Sequence, residues 1–182
     1  MHDLVSRTTL VTWLEMTAPP PRAPAPPPIP GLEVRHAEAP TTTFYRELYR
    51  AVGEPWTWVT RAVMSDEALA AIISDPQVEI HVLHVDGAHA GYVELDRRFP
   101  PDIEIAYFGL MPAFIGRGLG RWLLDWAVAH AWALAPRRLW VHTCDLDHPR
   151  ALATYEGAGF RVYRRRQEPL LASGGGEPDP RS

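Results

Sequence analysis

With 182 residues the chain is long enough for one domain with its own core and too short for two full ones. Hydrophobic residues make up 46% and charged residues 22%, near the globular average, which excludes global disorder and a fibrous fold. The formal net charge of -4 lacks the basic footprint of a duplex-binding domain, so no nucleic-acid partner is expected despite the run Arg164, Arg165 and Arg166. Cys144 is the single cysteine, which rules out an intramolecular disulfide and fits a reducing compartment. The cytoplasm is therefore the expected location. No stretch approaches the length of a membrane span, and the first residues lack the basic-then-apolar pattern of an export signal, so neither membrane insertion nor export is expected.

In chain order, Thr8 to Met16 alternates as a strand, with Val11 and Trp13 on one side and Leu10, Thr12 and Leu14 on the other. Eight of the twelve residues from Pro19 to Pro30 are proline, which predicts an extended, polyproline-like connector. Leu32 to Arg35 alternates again, and Thr41 to Val52 places Phe44, Tyr45, Leu48, Tyr49 and Val52 on a helical face closed by Gly53. A second helix is expected to start near Ser65 or Asp66. Val78 to Leu83 and Ala90 to Leu95 flank Asp86-Gly87, a hairpin signal. Ile103 to Leu110 reads as a buried strand, Leu119 to Trp132 as a helix, and Arg138 to Thr143 as a strand. Pro149 suits the first turn of a helix ending near Gly157 or Gly159, and Phe160 to Arg166 alternates as a last strand. This divides the chain into an N-terminal strand segment (1–18), a proline-rich linker (19–30), a main domain (31–171) and a tail (172–182) expected to be flexible.

The most informative stretch runs from Leu110 to Arg121, where a buried strand enters a turn with glycines at 116, 118 and 120 and a helix begins at once. Glycine allows close backbone approach, and the first amides of a helix lack internal partners and favour an anion. A pyrophosphate cradle has this composition. A Walker-type loop needs Gly-Lys followed by Ser or Thr, which is absent, and the dinucleotide fingerprint needs a glycine where Arg121 stands.

Two motifs together resemble the GNAT superfamily of acyl-CoA-dependent N-acyltransferases, over roughly Leu32 to Tyr163. The first is this loop, which in the family reads Arg or Gln, two residues, Gly, one residue, Gly or Ala. Here those places hold Ile115, Gly118 and Gly120, so the first departs from the pattern. The second is Tyr155, three residues, then Gly159-Phe160, with His148 and Pro149 where many members have Asn. The resemblance implies an α/β (α+β) fold: a single domain with a mixed, largely antiparallel sheet flanked by helices, its strands splayed at the CoA site. It implies acetyl-CoA or another acyl-CoA as cosubstrate, and no metal.

It also implies roles. Phe108, Gly109 and Leu110 would pair with the pantetheine arm, and an amide near Leu110 would face the thioester carbonyl. Gly116, Arg117, Gly118, Leu119, Gly120 and Arg121 would cradle the pyrophosphate. Glu104 resembles the family's base, and Tyr155 stands where a hydroxyl assists departure of the thiolate. Tyr45, Tyr49, Trp56, Trp58 and Arg61 form an aromatic set that would enclose an apolar or aromatic amine, with Arg61 available to a carboxylate. Cys144 carries no nucleophile signature, so attack is expected to be direct. His142, Asp145, Asp147 and His148 read as loop and capping residues, and His81, His84 and His89 as surface or edge residues.

The partner implied is a small-molecule or peptide amine; a homodimer is left open. The alternatives are a catalytically silent acyl-CoA-binding or sensory module, and an interaction protein that uses the proline segment. The resemblance also implies an additional C-terminal strand, which little after Phe160 to Arg166 resembles. The N-terminal strand is therefore expected to dock on the sheet near that C-terminal strand, in its own chain or a partner's, with Pro19 to Pro30 spanning the distance.

Overall fold

A computed structural model describes residues 8–169; the expected tail at 172–182 lies outside the described residues. Strands β1 (Thr8–Met16), β2 (Leu32–His36), β3 (Val78–Val85), β4 (Ala88–Asp96), β5 (Asp102–Leu110), β6 (Arg138–Cys144) and β7 (Arg161–Pro169) form one sheet in the order β2-β3-β4-β5-β6-β1-β7. Every neighbouring pair is antiparallel except β5 and β6. Helices α1 (Thr42–Gly53), α2 (Thr60–Val63) and α3 (Asp66–Ile73) precede β3, α4 (Leu119–Ala133) joins β5 to β6, and α5 (Ala151–Ala158) joins β6 to β7. The mixed, helix-flanked sheet expected from the sequence is therefore present.

Local chemistry explains most boundaries. Thr41 and Ser65 cap α1 and α3, each side chain accepting from the amide three residues on, Phe44 N at 3.1 Å and Ala68 N at 3.1 Å. Asp86 and Gly87 both take positive φ, 49° and 85°, the turn that matches the twist of the β3–β4 hairpin. In α4 the buried residues Leu119, Leu123, Leu124, Ala127, Val128 and Ala131 recur at helical spacing and lie in the larger core, between sheet and helix. Tyr45, Leu48, Tyr49 and Val52 of α1 form the second core with Leu69 and Ile73 of α3. The last helix begins at Ala151, two residues after Pro149.

The strand read as a separate N-terminal segment is an interior member of the sheet. β1 pairs with β6 from Val11↔Cys144 to Met16↔Leu139, and with β7 from Thr8↔Pro169 to Glu15↔Arg161. Both of its faces are covered, with Val11, Trp13, Leu14 and Met16 all buried. The proline segment then runs past α4: Trp122 Nε1–H donates to the Ala25 carbonyl at 3.0 Å, and Ile29 packs on the larger core.

The sheet opens at one place. β5 and β6 pair only from Asp102↔Arg138 to Ile105↔Val141, although both strands continue. At that point β5 also carries an extra residue against β4, since Glu94 faces Tyr107 while Leu95 faces Ile105. Such a bulge bends the strand that carries it, and here it turns Ala106 to Leu110 away from β6.

Candidate active site

The splay opens into a cavity of about 620 Å³. Phe108, Gly109 and Leu110 form one wall, and Val141, His142 and Cys144 the other. Residues Gly116, Gly118, Gly120 and Arg121 line its end. Gly116 and Gly118 have φ of +84° and +77°, a conformation strained for any side chain, and a Cβ on either would meet nothing within 4 Å. The backbone there is left-handed and open to the cavity. Gly118 is the N-cap of α4, and the first bond inside the helix is Trp122 N–H to the Gly118 carbonyl at 3.3 Å. The amides of Leu119, Gly120 and Arg121 precede that bond, at the positive end of a 15-residue helix. The end of the cavity thus fits a pyrophosphate.

Two cradle residues play other parts. Leu119 is fully buried and its side chain packs in the core, so only its backbone faces the turn. Arg117 lies over the Phe114 ring at 5.5 Å and does not line the cavity. Arg121 lines it while Nε donates to both oxygens of Asp125, at 2.9 and 3.0 Å. Gly109, expected to admit a ligand, instead admits helix α1: a Cβ there would stand 2.5 Å from Val52 Cγ1.

Tyr155 is buried in the cavity wall between Phe108 and Phe160, each ring centroid 6.0 Å away. Gly159 at φ +106° ends α5, and Phe160 N–H returns to the Tyr155 carbonyl at 3.1 Å, which folds Phe160 under the tyrosine ring. Burial, and secondarily the charge of Asp147, pushes the phenol well above its ordinary value, so it stays protonated through neutral pH. Burial likewise raises the Cys144 thiol, which disfavours the thiolate a nucleophile needs.

A sequence model of the acetyltransferase (GNAT) family matches residues 42–160. The chain belongs to that family. No curated protein matches the sequence. A functionally unknown conserved protein from Staphylococcus epidermidis aligns at 15% identity and a TM-score of 0.62, covering 88% of this chain and 60% of that one. A GCN5-related N-acetyltransferase from Sphaerobacter thermophilus aligns at 20% and 0.61, covering 87% and 50%. An aminoglycoside acetyltransferase from an uncultured soil metagenomic sample aligns at 12% and 0.58, covering 71% and 88%. At these identities the likeness shows the fold. This chain spans less than two thirds of the first two proteins.

The acceptor side of this GNAT cleft differs from the sequence expectation in two residues. Tyr49, Trp56 and Trp58 line it, but Tyr45 and Arg61 lie beneath, fully buried. Arg61 pairs with Glu94 at 2.7 Å, Tyr45 Oη donates to the same carboxylate at 2.5 Å, and the guanidinium lies 5.3 Å from the Tyr107 ring. A guanidinium held in this way supports the aromatic wall and is not available to a substrate carboxylate. Glu104 is likewise 2% exposed and does not line the cleft.

Two cleft residues read from the sequence only as loop and capping residues. His142 lines the wall next to Glu104, with Nδ1 3.4 Å from Oε1. Asp147 accepts from Trp58 Nε1 at 3.1 Å, Thr143 Oγ1 at 2.6 Å and Cys144 N at 2.9 Å, tying the loop after α1 to the end of β6. Asp145 accepts from Thr9 Oγ1 and from Leu10 N at 3.1 Å, so the N-terminal strand braces the loop that carries Asp147 and His148.

Away from the cleft, Glu79, His81 and His130 bring three ligand-type atoms within 4.8 Å of one another. Arg97 also reaches Glu79, at 3.0 Å. The hydrogen bond to His81, and then that to His130, hold the Glu79 carboxyl down to about 2. The guanidinium balances this carboxylate, so the group reads as a closed ion network. His81 and His84 are buried, contrary to the surface or edge reading, because β2 covers β3 on that side and Trp126 and His130 lie over His81 with ring centroids at 5.0 and 4.6 Å.

Proposed function

We propose that this protein transfers an acetyl or other short acyl group from acyl-CoA to a primary amine by direct attack. The observation that carries this reading is one continuous cleft in which a left-handed glycine turn caps α4, β5 parts from β6, and Tyr155 forms the wall. The amides from Gly116 to Arg121 hold the pyrophosphate, and the edge of Phe108, Gly109 and Leu110 that β6 has left holds the pantetheine arm. Tyr49, Trp56 and Trp58 receive the amine, with Tyr45 and Arg61 packed behind them.

Only the neutral amine attacks, and alkyl ammonium groups titrate near ~10, so a proton must first be removed. Glu104 supplies the negative charge for this step from behind the cleft wall. The amine lone pair then forms the C–N bond, and a backbone amide near Leu110 stabilises the oxyanion. Collapse breaks the C–S bond; the Tyr155 hydroxyl donates a hydrogen bond to the departing thiolate, which takes up the proton that the nitrogen sheds as the amide forms. Cys144 stays out of the reaction.

The cradle is tested by calorimetry and thermal melting. Acetyl-CoA is expected to bind and raise the melting temperature, while NAD and ATP do neither. Stabilisation by NAD or ATP without binding of acetyl-CoA would overturn the assignment.

A further inference from the structure

The acceptor end of the cleft is apolar and already shaped. Val59, Ile115 and Leu146 are large apolar side chains that remain exposed, and all three line the cleft beside Trp56 and Trp58. An exposed apolar patch in a concave site marks a surface that a ligand covers. Trp58 is fixed in place: a Cβ on Gly53 would stand 2.4 Å from its Cε3, and its ring meets those of Tyr49 and Tyr107 at centroid distances of 5.5 and 5.2 Å. Trp56 meets His148 edge-on at 4.9 Å. A wall held in this way loses little freedom when a ligand arrives.

Negative charge is scarce there. Among the described residues that line the cleft, Asp147 is the one carboxylate, against the guanidiniums of Arg121 and Arg150. It accepts from Trp58 Nε1 on Oδ1, and from Thr143 Oγ1 and Cys144 N on Oδ2. A carboxylate has about four acceptor positions, so Oδ1 keeps one for a further donor. The bond from Trp58 holds that oxygen against the aromatic wall. The charge of Asp147 also adds to burial in raising the Tyr155 phenol and the Cys144 thiol, so its field reaches the end of the cleft where the thiolate departs.

We propose that the acceptor is a monoamine with an aromatic or apolar body, held with its ammonium on Asp147 and its body against Trp56 and Trp58. This rests on the acyl-transfer reading above and names the substrate class of the same site. Asp147 draws the ammonium and orients its nitrogen, and the tryptophans select the body attached to it. A polyamine or an aminoglycoside would leave its further ammonium groups facing apolar side chains and two guanidiniums, without a carboxylate to meet them.

The test has two arms, both on the full chain. In the first, kcat/KM with acetyl-CoA is compared among phenylethylamine, spermidine and kanamycin. Phenylethylamine should lead by roughly 10- to 100-fold, the scale that burial of one aromatic ring supplies. In the second, phenylethylamine and the uncharged phenylethanol are titrated into the CoA-saturated protein, followed by tryptophan fluorescence. The parent should bind the amine roughly 10- to 100-fold more tightly than the alcohol, as a charge-assisted hydrogen bond predicts. Asp147→Asn should remove most of that difference while the alcohol binds within about threefold of its parent affinity. Trp56→Ala should weaken both ligands alike, because it takes away the wall and leaves the charge. If Asp147 only tied the loop to β6, Asp147→Asn would weaken amine and alcohol equally, and that result would overturn the proposal. Should this variant fail to fold, equal affinity of the parent for amine and alcohol would overturn it as well. An active parent that prefers spermidine or kanamycin removes this proposal alone, whereas a parent that binds acetyl-CoA and acetylates no amine removes the acyl-transfer reading with it.

Discussion

Removal of residues 1–18 is expected to abolish cooperative folding. The deletion takes away an interior strand, and with it both the β6 and the β7 ladders of β1. It also uncovers the partners of Val11, Trp13, Leu14 and Met16, all buried. Burial of such side chains stabilises by about 1.5–3 kcal/mol each, so four of them approach the whole stability of a typical domain, about 5–15 kcal/mol. Lost backbone pairing adds to this, because β6 and β7 would each gain an unpaired edge. The check is a thermal melt followed by circular dichroism. A loss of the transition is expected, and an unchanged melting temperature would show that β1 is an accessory. Leu14→Ala, at 0% exposure, gives a graded version with a cost of about 2–5 kcal/mol.

Tyr155→Phe should lower turnover by roughly ten- to ten-thousand-fold with little change in acetyl-CoA affinity or melting temperature. The ring keeps its contacts with Phe108 and Phe160, so only the hydroxyl is tested. Since burial holds the phenol well above its ordinary value, it is a donor at every pH from ~6 to ~9, and the fractional loss should be flat across that range. Full activity in the variant would exclude Tyr155 from thiolate departure. A loss that varied steeply with pH would point to a group other than a permanently protonated phenol.

The parts of this molecule that could be read from sequence are those fixed by local chemistry. Gly116 and Gly118 announce a turn because their φ suits glycine alone, and Thr41 and Ser65 announce helix starts because a hydroxyl there meets a free amide. The short helix α2 and the 3-10 turns at Glu54–Trp56 and Pro112–Phe114 were missed; Thr57 after the first of these turns has φ 58°, which no glycine advertises. What the sequence could not place is what the sheet assembles from distant positions. Arg61 looked available to substrate until its partner Glu94, 33 positions on, came to lie beside it. Glu104 resembled the family's base, but strand alternation fixes a face and says nothing of which neighbour covers it. The parallel pairing that brings β6 beside it also brings His142 into the cleft wall. The proximity of Glu79 to His130, 51 positions apart, has the same origin.

The most direct measurement of acyl transfer is release of free CoA thiol from acetyl-CoA, with mass spectrometry of the acceptor, across arylalkylamines, amino acids, aminoglycosides, polyamines and peptides. All 18 basic residues are arginine, so no lysine side chain on the protein competes as an acceptor. The expected result is thiol release that depends on an added amine, matched by acetylated amine and with no acetyl group left on Cys144. Binding of acetyl-CoA with no acetylated product from any amine would contradict the account and leave an acyl-CoA-binding module in its place.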